Sequence, residues 1–179
     1  MKRGEKYQII VVGAGHAGIE ASLAAARCGS RVALVTLSKN SIARMSCNPS
    51  IGGLAKGQIV REVDALGGVM GVATDFSGIQ FKMLNRSKGR AVWSPRAQVD
   101  KRKYEKYVNK RILKDPFIDL IEAEVVSIVT AKGKTTGVKT VDSAIISGEA
   151  VVLTNGTFLN GLIHIGNIKI PAGRMGESK

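Results

Sequence analysis

The sequence predicts an α/β fold, a parallel sheet with helices on both faces and a small antiparallel β meander attached. Three observations lead there. A β-branched run at Tyr7–Val12 stops at Gly13, an alanine-rich stretch over 17–28 is closed by Gly29, and an apolar run over 31–36 supplies a second strand. Strand, glycine turn, helix and strand within about 30 residues make a βαβ unit, whose parallel strands need cover on both faces.

The 179 residues fit one domain, and 44% hydrophobic with 23% charged content is enough to bury a core, which argues against disorder. No stretch reaches the roughly 20 apolar residues of a membrane span, and residues 1–6 run directly into a strand, so a cytoplasmic location away from membranes is expected. Two cysteines, Cys28 and Cys47, are too few for a disulfide scaffold and read as free thiols. The net charge of +13 points to a polyanionic partner.

After the βαβ unit, residues 37–53 read as a loop, broken by Asn40, Ser46, Asn48, Pro49, Gly52 and Gly53. Over 54–66, Ile59, Val60, Val63 and Leu66 share one helical face, and Gly67 and Gly68 provide the stop. Ile79, Phe81 and Met83 alternate with Gln80 and Lys82, as in a strand. A helix is expected from about Ala97 to Lys114, ended by Asp115 and Pro116. Apolar segments at 118–121, 125–130, 136–141 and 144–146 suggest the meander. A last strand at 150–153 leads through Thr154, Asn155 and Gly156 into a tail over 161–179 with no evident element to pack against.

Gly13, Gly15 and Gly18 form GxGxxG after a strand and at a helix start, the context that marks a dinucleotide site. Gly13 permits the turn, Gly15 admits a pyrophosphate to the backbone, and Gly18 lets helix and strand approach. The helix N-terminus adds free N–H groups and a positive dipole end. The acidic residue expected at the end of the second strand is absent, since the chain reads Leu34, Val35, Thr36, Leu37, Ser38. A hydroxyl of Thr36 or Ser38 would be a weaker substitute, and these residues do not choose between FAD and NAD.

Cys47 lies in the glycine-rich loop after the second strand, near where a bound cofactor would extend. It is either a nucleophile or redox partner activated by the following helix and Lys56, or a buried inert thiol. His16, inside the glycine motif, is either close to the cofactor or a solvent-facing filler. Two histidines, His16 and His164, support neither a metal set nor a Ser/His/Asp arrangement.

Between Lys82 and Lys114, twelve basic residues stand against Asp100 and Glu105, so this segment carries +10 of the net charge. Lys103, Lys106, Lys110 and Lys114 recur at helical spacing, and Trp93, Tyr104 and Tyr107 are interleaved. A solvated face is the simple reading, and the density of cations favours phosphate contact.

The runs VVGAGHAG (11–18), MSCNPSIGGLAKG (45–57), EVDALGG (62–68), GIQFKMLNRSKG (78–89), RAQVD (96–100) and VLTNGTFLNGLIHIG (152–166) together resemble the FAD-dependent tRNA uridine 5-carboxymethylaminomethyl modification enzymes, the MnmG/GidA family. The resemblance implies a Rossmann-like FAD-binding domain spanning 1–179, a partial domain from a longer enzyme with its C-terminal completion absent. It implies FAD, with NADH as reductant and methylenetetrahydrofolate as carbon donor, in an enzyme that modifies C5 of the tRNA wobble uridine. tRNA, a partner GTPase and a homodimer of the full-length protein are the implied partners.

On this resemblance the cofactor-side candidates are Gly13, Ala14, Gly15, His16, Ala17 and Gly18, then Val125 beside the adenine, with Thr36 and Gly156. Cys47 is the catalytic candidate, and Arg96, Lys103, Lys106 and Lys110 are the RNA-side candidates. The sequence departs from the family's Pro-Ala-Val-Arg pattern, with Arg90, Ala91, Val92 and Trp93 in its place. Two other readings are a related folate- and FAD-dependent tRNA methyltransferase, against which the MSCNPSIGG loop argues, and a non-catalytic nucleotide- or RNA-binding protein.

Overall fold

The structure is a computed structural model that describes residues 6–45 and 48–176. Strand β1 (Tyr7–Val12) leads through the glycine turn into helix α1 (His16–Arg27) and strand β2 (Val32–Thr36), as the sequence predicts. Alanines drive α1, and its buried Gly18, Ile19, Ser22, Leu23 and Ala26 recur at helical spacing. Gly29, at φ +80°, ends it in a left-handed conformation. All five residues of β2 are buried, as a strand covered on both faces requires.

The expected loop over 37–53 holds a short 3-10 turn at Lys39–Ser41 and strand β3 (Ser50–Gly52). Helix α2 (Lys56–Ala65) stands where expected, but its apolar face is only partly covered: Val60 packs against the core and Val63 is half-buried, while Ile59 and Leu66 are exposed. Helix α3 (Val69–Ser77) follows, an element the sequence pattern does not announce. Strand β4 (Gly78–Leu84) stands where expected and pairs antiparallel with β5 (Ser94–Val99), which in turn pairs with β3.

The expected helix start at Ala97 is corrected by β5. Ala97 pairs with both Ile51 and Phe81, and α4 (Lys101–Lys114) begins only after Asp100. The Asp100 carboxylate accepts from the N–H groups of Arg102 and Lys103, which fixes the boundary.

Strand β6 (Ile118–Glu122) is not part of the meander; it pairs parallel with β2 at the edge of the main sheet. The meander is β7 (Val125–Ala131), β8 (Lys134–Thr140) and β9 (Ile145–Leu153). The segments 144–146 and 150–153 fall within one long β9, which also pairs parallel with β1. The six-stranded order is β6-β2-β1-β9-β8-β7. The tail folds on itself as a hairpin, β10 (Leu162–Ile165) with β11 (Ile168–Pro171).

The α/β class, the parallel sheet and the meander are therefore as expected, while the cover differs on one face. One core packs Val11, Val32, Leu34 and Ile118 of the sheet against Ile19 and Leu23 of α1, Val69 and Ala73 of α3, and Tyr104, Val108 and Ile112 of α4. On the other face Ile10, Ala33 and Val35 pack against Val138 and Ile146 of the meander, with no helix in that cluster. Here the folded-over meander supplies the apolar cover that helices were expected to give, and it satisfies the same burial requirement.

Candidate functional site

The glycine turn at the C-terminal end of β1 is held from two neighbouring strands. Gly13 N–H donates to Val35 O at 2.8 Å, and Thr154, just beyond β9, donates its N–H to Val12 O at 2.9 Å. The Thr154 hydroxyl lies 2.9 Å from Val12 O and 3.0 Å from Gly13 O. Gly13 has φ +105°, and a Cβ there would strike Thr154, while a Cβ on Gly18 would strike Gly13 O and the Thr154 hydroxyl. Packing within the protein thus explains both glycines.

Gly15 is different. It has φ −72°, which any residue adopts, and a Cβ built on it meets nothing within 4 Å. It is also the N-cap of α1, with no side-chain cap and no acidic residue in the first turn. A helix start left without a cap, beside open space at a glycine, is what a diphosphate would need to reach the backbone. These residues therefore fit the ADP part of a dinucleotide.

Ala14 is buried and its carbonyl accepts from Ala43 N–H at 3.1 Å, so the loop after β2 lies against the turn; Ala17 is exposed on the first turn of α1. Helix α4 fixes that loop. Glu105 accepts from Met45 N–H at 3.3 Å, and Asn109 Nδ2 donates to Ile42 O at 3.4 Å. Cys47, two positions past Met45, lies outside the described residues. His16 turns inward rather than to solvent: its ring is 5.6 Å from that of Tyr104, and its Nε2 is buried with no hydrogen-bond partner among the described residues. Burial lowers its pKa, and the charges of Glu20 and Glu105 partly offset this.

At the end of β2, Thr36 is buried and its hydroxyl donates to Ser38 O at 3.3 Å, so it is already engaged within the chain. The register places Glu122 of β6 opposite Thr36, and Glu122 Oε2 accepts from Lys39 N–H at 2.9 Å. A carboxylate is thus present at this strand end after all, contributed by the neighbouring strand. Sequence reasoning missed it because the parallel pairing of β6 with β2 was not foreseen. Thr154 was also missed, although a hydroxyl just after the last strand was the signal. Val125 opens β7, three residues past Glu122, half-buried at the edge of the meander core. Gly156 is exposed, with open space at its Cβ position.

The RNA-side candidates divide into two groups. Lys103, Lys106 and Lys110 are exposed along α4, opposite its buried Tyr104, Val108 and Ile112, and none of the three forms an ion pair among the described residues. Arg96 stands apart on β5, across from Lys82 of β4, with its Nη2 3.3 Å from Ser50 Oγ. It borders a cleft of about 260 Å³ between α2, α3 and the small sheet, which Arg61, Asp64, Asp75 and Lys82 also line. Among the described residues, no group of histidine, cysteine and carboxylate side chains could hold a metal ion, and no helix is long and apolar enough to cross a membrane.

Residues 8–179 match the family model described as glucose inhibited division protein A. A protein of Flavobacterium johnsoniae named tRNA uridine 5-carboxymethylaminomethyl modification enzyme MnmG is 53% identical over 174 residues, 97% of this chain and 28% of that protein. One of the same name from Bacteroides fragilis is 51% identical over 96% of this chain and 28% of its own length. The crystal structure of Aquifex aeolicus GidA superposes with a TM-score of 0.91 at 51% identity, covering 98% of this chain and 29% of that one. The chain therefore spans a little over a quarter of the length of the relatives it matches.

Proposed function

The chain belongs to the glucose inhibited division protein A family, and from that premise we propose that its βαβ turn holds the ADP half of FAD in an enzyme modifying C5 of the tRNA wobble uridine. The observation that carries this reading is the contrast among the three glycines. Gly13 and Gly18 are small because protein packs against them, whereas Gly15 is small beside empty space at an uncapped helix start.

The residues divide the task by position. The first-turn N–H groups of α1 would hold the pyrophosphate, and Thr154, whose hydroxyl lies within hydrogen-bond distance of the Val12 and Gly13 carbonyls, would keep the turn in shape for it. Glu122, held by Lys39 N–H, offers its remaining acceptor capacity to ribose hydroxyls, and Val125 borders the adenine side. Bound FAD would supply two-electron redox chemistry at its isoalloxazine ring. The basic face of α4 meets tRNA phosphates, and Cys47 of the family motif is the candidate catalytic thiol. NADH as reductant, methylenetetrahydrofolate as carbon donor, a partner GTPase, a homodimer and a cytoplasmic setting complete the reading, supported by the motif runs shared with the family.

The test is the visible absorption of the purified protein together with two glycine variants. Gly15→Val is expected to leave the circular dichroism unchanged and weaken flavin retention by at least about tenfold, a loss of about 1.4 kcal/mol. Gly18→Ala, which drives a methyl into Gly13 O, is expected to destabilise the fold itself. Parental flavin retention in folded Gly15→Val would overturn the assignment.

A further inference from the structure

We propose that the connection between β4 and β5 is a docking platform for an unpaired ribonucleotide, in which Trp93 stacks on the base and Arg86 and Arg90 take the flanking phosphates. The proposal rests on the tRNA reading above but concerns a contact distinct from the α4 face. From Lys82 to Arg96 the chain carries five basic residues and no acidic one. Arg86, Lys88 and Arg90 are exposed, and neither guanidinium forms an ion pair among the described residues. Both instead approach one ring, 5.8 Å and 5.9 Å from the Trp93 centroid. The cations are thus gathered around an aromatic surface with no ion-pair partner among the described residues.

The ring is held in place before any ligand arrives. Trp93 Nε1 donates to Arg86 O at 3.3 Å, and Asn85 Nδ2 closes the connection on Val92 O at 3.3 Å. From α2, Gln58 Nε2 reaches both Trp93 O and Ser94 Oγ at 3.2 Å. Such anchoring reduces the entropy lost on binding. An arginine on an indole face makes a weak, exchangeable contact when exposed, so an entering base can replace it on the ring while the guanidinium moves to a phosphate. A duplex would need cations but no aromatic, since its bases are already stacked. A lipid surface would need several apolar side chains protruding beyond the charges, whereas in residues 85–93 Val92 is the one large apolar side chain that is exposed and Trp93 is half-buried among the cations.

Trp93 is the sole tryptophan of the sequence, so the indole emission of the whole protein reports on this ring. The 179-residue chain, at fixed flavin content, is titrated with a short single-stranded oligoribonucleotide, its duplex, inorganic polyphosphate and phosphatidylserine vesicles. RNA binding is followed independently by the anisotropy of a labelled strand. Saturable quenching by the single strand alone is expected. Arg86→Gln with Arg90→Gln should weaken binding at least about tenfold and lower the salt slope by about 1.4, the value for two phosphate contacts to a single strand. Trp93→Ala, checked for fold by circular dichroism, should weaken binding roughly ten- to a hundredfold, with Trp93→Phe restoring much of it. RNA binding with unchanged indole emission, equal quenching by polyphosphate or vesicles, or full affinity in the double arginine variant would each overturn the platform and leave the tRNA reading standing. A chain that binds no RNA would overturn both.

Discussion

His16 shows how one side chain in a nucleotide motif serves the protein interior. Its ring lies against Tyr104 of α4, and burial lowers its pKa from the ordinary 6.5 despite the opposing charges of Glu20 and Glu105. Burial and Glu20 push the Tyr104 phenol up, so both rings stay neutral near neutral pH. The unfolded chain therefore binds a proton at His16 more readily than the folded one. Its contribution to stability is full above pH 6.5 and is lost as pH falls from there toward the lowered native pKa. The urea midpoint should consequently drop more steeply below pH 6.5 in the parent than in His16→Asn. Superimposable profiles would remove His16 from the acid response. The sequence left this residue open between a cofactor contact and a solvent-facing filler, because nothing local reveals that α4 supplies the ring it packs on.

At the scale of elements, legibility followed the range of the signal. The first βαβ unit was readable because its punctuation, from Gly13 to Gly29, lies within the segment itself. Helix α3 was not, because its start is capped from elsewhere: Glu20 of α1 accepts from the N–H groups of Val69 at 3.0 Å and Met70 at 2.7 Å. The sequence pattern runs β5 into α4 because the identity of β5 comes from pairing with β3 and β4, although Asp100 is a good N-cap. The lysine stripe needed only helical spacing and survives intact. Reversing Lys103, Lys106 and Lys110 to Glu should weaken binding to all tRNAs and reduce the salt slope by about one unit per lysine, as gel shifts over a salt series would measure. Unchanged affinity at low salt would clear this face of contact with RNA.

For the whole molecule, the sequence supplied the two layers of elements but not which layer covers which face, since a strand's partners are set by tertiary contacts. Strand β9 decides the arrangement. Its first part, through Ile145, Ile146 and Ser147, pairs antiparallel with β8, and its second, from Gly148 to Leu153, pairs parallel with β1 and delivers Thr154 to the glycine turn. The meander and the nucleotide turn are therefore two ends of one continuous strand, and local opening at one end should be felt at the other. Val138→Ala, in the core beneath the meander, should cost about 2 kcal/mol and accelerate amide hydrogen exchange in β8. The same acceleration should reach Thr154 N–H, bonded to Val12 O of the neighbouring strand β1. Faster exchange confined to β7 and β8 would mean two independent folding units; matched rates would make β9 a mechanical shaft, along which loosening of the meander reaches the glycine turn.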